Sequence, residues 1–97
     1  MAKLAPLHPG EVLREEFMEP MGVTAYALAK AIQIERPRLE RIVREQQGIT
    51  ADTALRLGKY FSTTPEFWMN LQNHYELESA KIEIGRDLDE IRPPVAA

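Results

Sequence analysis

The apolar residues of this chain recur mostly three and four positions apart, the spacing of helices buried on one face, and no run alternates as a half-buried strand would. The stretch Thr24–Arg44 carries the pattern most clearly. Its positions Leu28, Ile32, Ile34, Leu39 and Ile42 all turn inward if two short helices cross steeply at a corner made of Gln33, Ile34 and Glu35. Thr24 suits the N-cap of the first of these helices, Ala25 to Gln33, because its hydroxyl can accept from an unpaired N–H of the first turn. Ala29 stands where the second helix approaches most closely. That second helix starts near Arg36, and Pro37 fits its first turn, where a missing N–H costs nothing. At about 100° per residue, Leu39, Ile42 and Val43 share one of its faces, while Pro37, Glu40, Arg41 and Arg44 lie opposite. This is the layout of a DNA-binding helix-turn-helix. An ordinary helical hairpin with a solvated charged face fits the local spacing equally well.

The rest of the chain supplies supporting helices. Pro9 opens the first, with Glu11 near the positive end of its dipole, Val12, Leu13, Phe17 and Met18 as its inner face, and Pro20 and Gly22 as its end. Met1–Leu7 reads as a frayed tail. Gly48 is the expected left-handed residue closing the helix-turn-helix. Thr50 caps a fourth helix through Phe61, with Ala54, Leu55, Leu57 and Phe61 inside and Gly58 permitting close packing. Thr64-Pro65-Glu66 combines a cap, a first-turn proline and a first-turn acid. The fifth helix runs from there to about Ile84 or beyond, with Gly85 bending or ending it and Asp87–Arg92 forming a last turn. The expected architecture is all-α: one five-helix domain of the phage (lambda) repressor kind over 1–97, with the helix-turn-helix at 24–44 and a helical C-terminal extension over 64–91.

Charge sharpens this picture. The 97 residues carry a net charge of −3, which argues against a generic polyanion binder. The charge is unevenly placed, however. Thr24–Gly48 holds five basic and three acidic residues, whereas Glu66–Ala97 holds three basic and seven acidic. A locally basic segment in an acidic chain fits a protein that meets DNA with one face. Cysteine is absent, so neither disulfides nor thiol chemistry arise. No signal peptide or membrane-length apolar run is present, and a cytoplasmic location with no membrane partner is expected.

Three blocks carry a family resemblance: His8-Pro9-Gly10-Glu11-Val12-Leu13-Arg14-Glu15-Glu16-Phe17, then Gly48-Ile49-Thr50-Ala51-Asp52-Thr53-Ala54-Leu55-Arg56-Leu57, then Pro65-Glu66-Phe67-Trp68-Met69-Asn70-Leu71-Gln72. Over His8–Tyr75 the chain resembles the HigA-type antitoxins of the Xre superfamily, also called VapI or plasmid-maintenance antidote proteins. The resemblance implies a homodimer that binds the palindromic double-stranded operator of its own operon and represses it. It also implies direct neutralisation of a small basic toxin, an mRNA-cleaving enzyme of RelE-like fold. Some relatives act only as transcription regulators, so a solitary regulator stays open, as does an antidote that binds protein and never DNA. Two positions depart from the family. Gln33 stands where glycine is common, implying a corner with a non-glycine backbone. Glu45-Gln46-Gln47 replaces an Asn-Gly-Lys-like turn, removing a phosphate contact.

On this reading Arg41, central on the exposed helix face, can meet guanine O6 and N7 bidentately, and Glu40 can accept from a cytosine amine. Arg36, Arg38 and Arg44 flank that centre and suit phosphates. Thr24 and Thr50 begin helices whose N–H groups can point at phosphates, though plain capping explains both. Spacings of four among Arg36, Glu40 and Arg44, and between Arg41 and Glu45, equally make intrahelical ion pairs. Tyr26 suits either a backbone contact or packing. Phe67 and Leu71 are assigned to the core. Trp68, Tyr75 and Ile82 form the expected two-fold contact. The acidic residues around them make a solvated face or a surface for a basic toxin. An enzyme is not expected. His8 reads as a helix cap, and His74 with Glu78 offers two metal ligands without a third. No cofactor is implied.

Overall fold

The computed structural model describes residues 5–95, so the expected tail falls partly outside the described residues. Five helical rods follow in order. Helix α1 begins as Pro9–Val12, widens into a π-helical stretch over Leu13–Met18 and finishes as Glu19–Met21. Then come α2 (Ala25–Ile32), α3 (Arg36–Val43), α4 (Ala51–Phe61) and α5 (Pro65–Asp89). The wide turns lie immediately before Pro20, whose ring in a regular α-helix would collide with the carbonyl four residues back.

The starts of the helices follow the local chemistry. His8 Nδ1 accepts from Gly10 N–H at 2.8 Å, Thr24 Oγ1 from Ala27 at 3.1 Å, Thr50 Oγ1 from Thr53 at 3.3 Å and Thr64 Oγ1 from Phe67 at 3.1 Å. The ends are less regular. Gly22, Gln33, Glu45 and Ser62 all adopt left-handed backbone, with φ of 65°, 61°, 64° and 58°. After each, an N–H reaches back five residues: Val23 to Met18 O, Ile34 to Ala29 O, Gln46 to Arg41 O and Thr63 to Gly58 O. Gln33 therefore keeps the glycine-type corner rather than replacing it with another backbone. Gly48 does not close α3; Glu45 does. Gly48 instead lies under the Gln72 amide, where a Cβ would come within 2.7 Å of Nε2. A side chain at φ near +60° costs about 1–2 kcal/mol, part of which glycine returns as unfolded-chain entropy. Gln33→Gly should thus raise the unfolding free energy by roughly 0.5–1 kcal/mol, read from urea melts. A loss of stability would mean that the Gln33 side chain contributes more than the backbone costs.

The core comprises Leu13, Met18, Leu28, Ala29, Ile32, Leu39, Ile42, Ile49, Ala54, Leu57 and Trp68. Leu55, expected inside, is 61% exposed. It lies about 200° from Leu57 around α4, so only one of the two can face inward. Phe67 keeps its ring contacts with Phe17 and Trp68 but sits at the surface. Gly58 lets the chain turn tightly against α4, as a Cβ there would be 2.9 Å from Thr63 O. Helix α5 packs on α4 through its first half and buries Trp68 and Gln72. Beyond Ser79 it runs free, with only Gly85 partly covered. Non-helical angles at Ile84 (φ −112°, ψ 15°) bend it just before Gly85. No helix among the described residues is long and apolar enough to cross a membrane.

Candidate nucleic-acid interface

Both ends of helix α3 are held by its neighbours. At its C-terminal end the main chain of α1 comes so close that a Cβ on Gly10 would collide with Ile42 O. Arg14 Nη1 donates to Val43 O at 2.6 Å, and its Nη2 pairs with Glu45 at 3.1 Å and Glu15 at 2.9 Å. This cation neutralises the negative end of the α3 dipole. Its hydrogen bond to Glu15 is the main reason its pKa is raised. Along its length, Arg38 Nη2 donates to the hydroxyls of Thr50 and Thr53, both at 2.9 Å, tying α3 to the start of α4. Arg38 is therefore half-buried, with its Nη2 engaged inside the chain and its Nε and Nη1 without a partner among the described residues.

The outward face carries Pro37, Glu40, Arg41 and Arg44, as the spacing predicted, and Arg36 is exposed beside them. Arg36 pairs with Glu40 at 3.2 Å and lies over the exposed ring of Tyr26, 5.4 Å from its centroid. Glu40 would have to leave Arg36 to meet a base. Arg44 has no polar partner among the described residues. Arg41 does not pair with Glu45, which Arg14 has taken. Its Nε donates instead to Gln47 Oε1 at 2.8 Å. That bond leaves the two Nη nitrogens of Arg41 unclaimed among the described residues, the pair a guanine O6/N7 edge requires. Thr24 and Thr50 both act as caps, and Thr50 also accepts from Arg38.

Arg14, Gln47 and Arg56 are the residues that sequence reasoning missed. Arg56 donates to Ile32 O at 2.9 Å, closing α2 much as Arg14 closes α3. A basic residue near a helix end in the same helix can be found by spacing. These cations come from other helices, 29 and 24 residues away, and no local rule finds them.

His8 contributes from the other side of α3. It is buried, its ring meets Tyr75 edge-on at 4.6 Å, and burial holds its pKa below the ordinary 6.5. Only the neutral ring can accept from Gly10. The folded pKa lies below the unfolded one, so this contribution to stability is complete above pH 6.5 and is lost as pH falls through the lowered value. Between pH 7 and pH 5 the stability of His8→Asn should fall less steeply than that of the parent. Parallel slopes in melts across that range would show that His8 is not protonated on unfolding.

The dimer surface expected on α5 needs correction. Trp68 is fully buried, packed against Phe17, Phe61 and Phe67, with Nε1 donating to Thr63 Oγ1 at 2.8 Å. It cannot meet a second chain. Its position follows from being one turn before Gln72, the other buried residue of α5. Tyr75 is half-buried on His8, and Ile82 lies on the free arm.

A two-helix corner with an outward arginine face, its second helix held by α1 and α4, defines a helix-turn-helix protein. Residues 15–66 match the family model described as the Cro/C1-type HTH DNA-binding domain, and the chain belongs to that family. It is 52% identical over 79 residues to virulence-associated protein I of Dichelobacter nodosus, covering 81% of this chain and 73% of that protein. It is 33% identical to antitoxin HigA-1 of Vibrio cholerae serotype O1, over 94% of this chain and 86% of the relative. The structure of the Pseudomonas aeruginosa antitoxin HigA with the higBA promoter superimposes with a TM-score of 0.90 at 47% identity, covering 93% and 99% of the two chains. Within the Cro/C1-type family the chain sits with the HigA-type antitoxins.

Proposed function

We propose that this protein is a DNA-binding antitoxin that represses its own operon, reading a palindromic operator as a homodimer with α3 in the major groove. The observation that carries the reading is the Arg41 guanidinium, oriented through Nε by Gln47 with its outer nitrogens unclaimed on an exposed basic face. The similar P. aeruginosa protein, described with its promoter, supports the same use of the fold. Fluorescence anisotropy with the DNA upstream of the gene tests it. Binding should weaken steeply with salt, since each phosphate neutralised releases condensed counterions. Weak binding with no preference for that upstream DNA would remove the repressor reading.

The antitoxin half of the reading is neutralisation of a small basic toxin of RelE-like fold. Charge supports docking away from the DNA face: the seven acidic residues of Glu66–Ala97 lie on α5 and its end, remote in sequence from the basic corner. A toxin, this protein and operator DNA should therefore form a ternary complex in gel filtration. Strict competition between toxin and DNA would place the toxin on the basic face.

A further inference from the structure

A carboxylate on a surface that meets DNA repels phosphate and competes with it for arginine. Glu35 stands at the start of α3, and Glu40 and Glu45 lie on it and at its close. Glu40 is held within the helix, by Arg36 at 3.2 Å. Glu45 is held from outside. Its backbone is left-handed, with φ of 64°, and its Oε2 accepts from Arg14 Nη2 of α1 at 3.1 Å.

The basic residues of α3 nearest to Glu45 along the chain are Arg44, directly before it, and Arg41, four back at the spacing of an intrahelical ion pair. Both keep outer guanidinium nitrogens unclaimed among the described residues. Arg41 engages only its Nε, with Gln47, and Arg44 has no polar partner there. Arg14 is fixed for its part by a second bond, from Nη1 to Val43 O at 2.6 Å, while Nη2 also meets Glu15 at 2.9 Å. The side chains of Arg14 and Glu45 are 30% and 36% exposed, so their pairing adds little to stability. What it decides is where a negative charge beside the arginine face is neutralised.

We infer, on the reading that α3 meets DNA, that Arg14 is a positioning residue for recognition: by holding the Glu45 carboxylate against α1 it keeps Arg41 and Arg44 available to the groove and its phosphates. Arg14 brings this cation from outside the helix-turn-helix, so the corner does not spend one of its own.

Anisotropy titrations of the full chain on the upstream DNA, over a salt series, test this, with urea melts to confirm that each variant is folded. In Arg14→Gln the Glu45 carboxylate cancels one guanidinium of α3. With one phosphate contact fewer for each bound copy, the salt slope falls by about one per copy and affinity at about 0.1 M salt falls about tenfold per copy. Adding Glu45→Gln returns the slope to that of the parent and the affinity to within about threefold of it, because no carboxylate is left to compete. Adding Glu15→Gln instead makes the same change of charge at the other partner of Arg14 and leaves the loss in place. A mere clamp on Val43 O, or a phosphate contact by Arg14 itself, predicts a loss that Glu45→Gln does not repair. That outcome, equal repair by Glu15→Gln or unchanged binding in Arg14→Gln each overturns the inference. If Arg14→Gln does not fold, Glu45→Gln alone decides. With Arg14 intact the carboxylate is already neutralised, so binding changes by less than about threefold, and a larger change overturns the inference. A parent that binds no upstream DNA removes the repressor reading and the role of Arg14 together, whereas a parent that binds, with an unrepaired Arg14→Gln, removes the role of Arg14 alone.

Discussion

Trp68→Ala lowers the stability of the domain by about 3–5 kcal/mol, the range for deleting a fully buried aromatic side chain. A domain of this size holds about 5–15 kcal/mol in total, so the loss is a large fraction of its stability and the urea midpoint falls in proportion. The indole stands among Phe17, Phe61 and Phe67 and ties α5 to the preceding turn through Thr63. Its removal therefore opens a cavity where α1, α4 and α5 meet and leaves the Thr63 hydroxyl without its indole donor. Urea unfolding followed by far-UV circular dichroism measures the loss. A well-folded Trp68→Ala chain that had merely become monomeric would return Trp68 to the surface role that its residue type suggested.

Arg41→Ala costs about 1–3 kcal/mol on the true operator and relaxes the preference at one base pair. Arg44→Ala weakens binding to all sequences alike and reduces the salt slope by about one. The contrast follows from surroundings. Arg41 is oriented by Gln47, whereas Arg44 sits at the C-cap of α3 with no polar partner among the described residues and acts as a mobile cation. Anisotropy titrations on the operator and on single-base variants, each over a salt series, separate the two effects. Equal, sequence-independent losses would strip Arg41 of the base-reading role.

Much of the fold was legible because its determinants are local. Thr24, Thr50 and Thr64 each cap the helix they precede, Pro37 and Pro65 fall in first turns, and Leu39 with Ile42 turns inward by spacing alone. Legibility ended where the determinant lies across the chain. Arg38 has the sequence context of a phosphate contact, but two threonine hydroxyls of α4 draw it in. Arg41 had Glu45 at the ideal helical spacing, but the chain turns left-handed at Glu45, Arg14 claims its carboxylate and Gln47 comes round instead. Trp68 and Leu55 exchanged expected places. Both are apolar on amphipathic helices, and only the packing of α1 and α4 against α5 decides which is covered.

The way α3 is held has a consequence for how such a protein changes its target. Its position depends on a main-chain contact at Gly10, on Arg14 at its last carbonyl and on Arg38 at α4. None of these anchors lies at positions 37, 40, 41 or 44. On the proposed reading, the side chains offered to the groove can therefore vary as a nearly independent set, with stability left largely untouched. A new operator preference is reachable through viable single substitutions on a helix that keeps its place, so duplicated copies of the gene can diverge in the DNA they recognise before anything else about them changes.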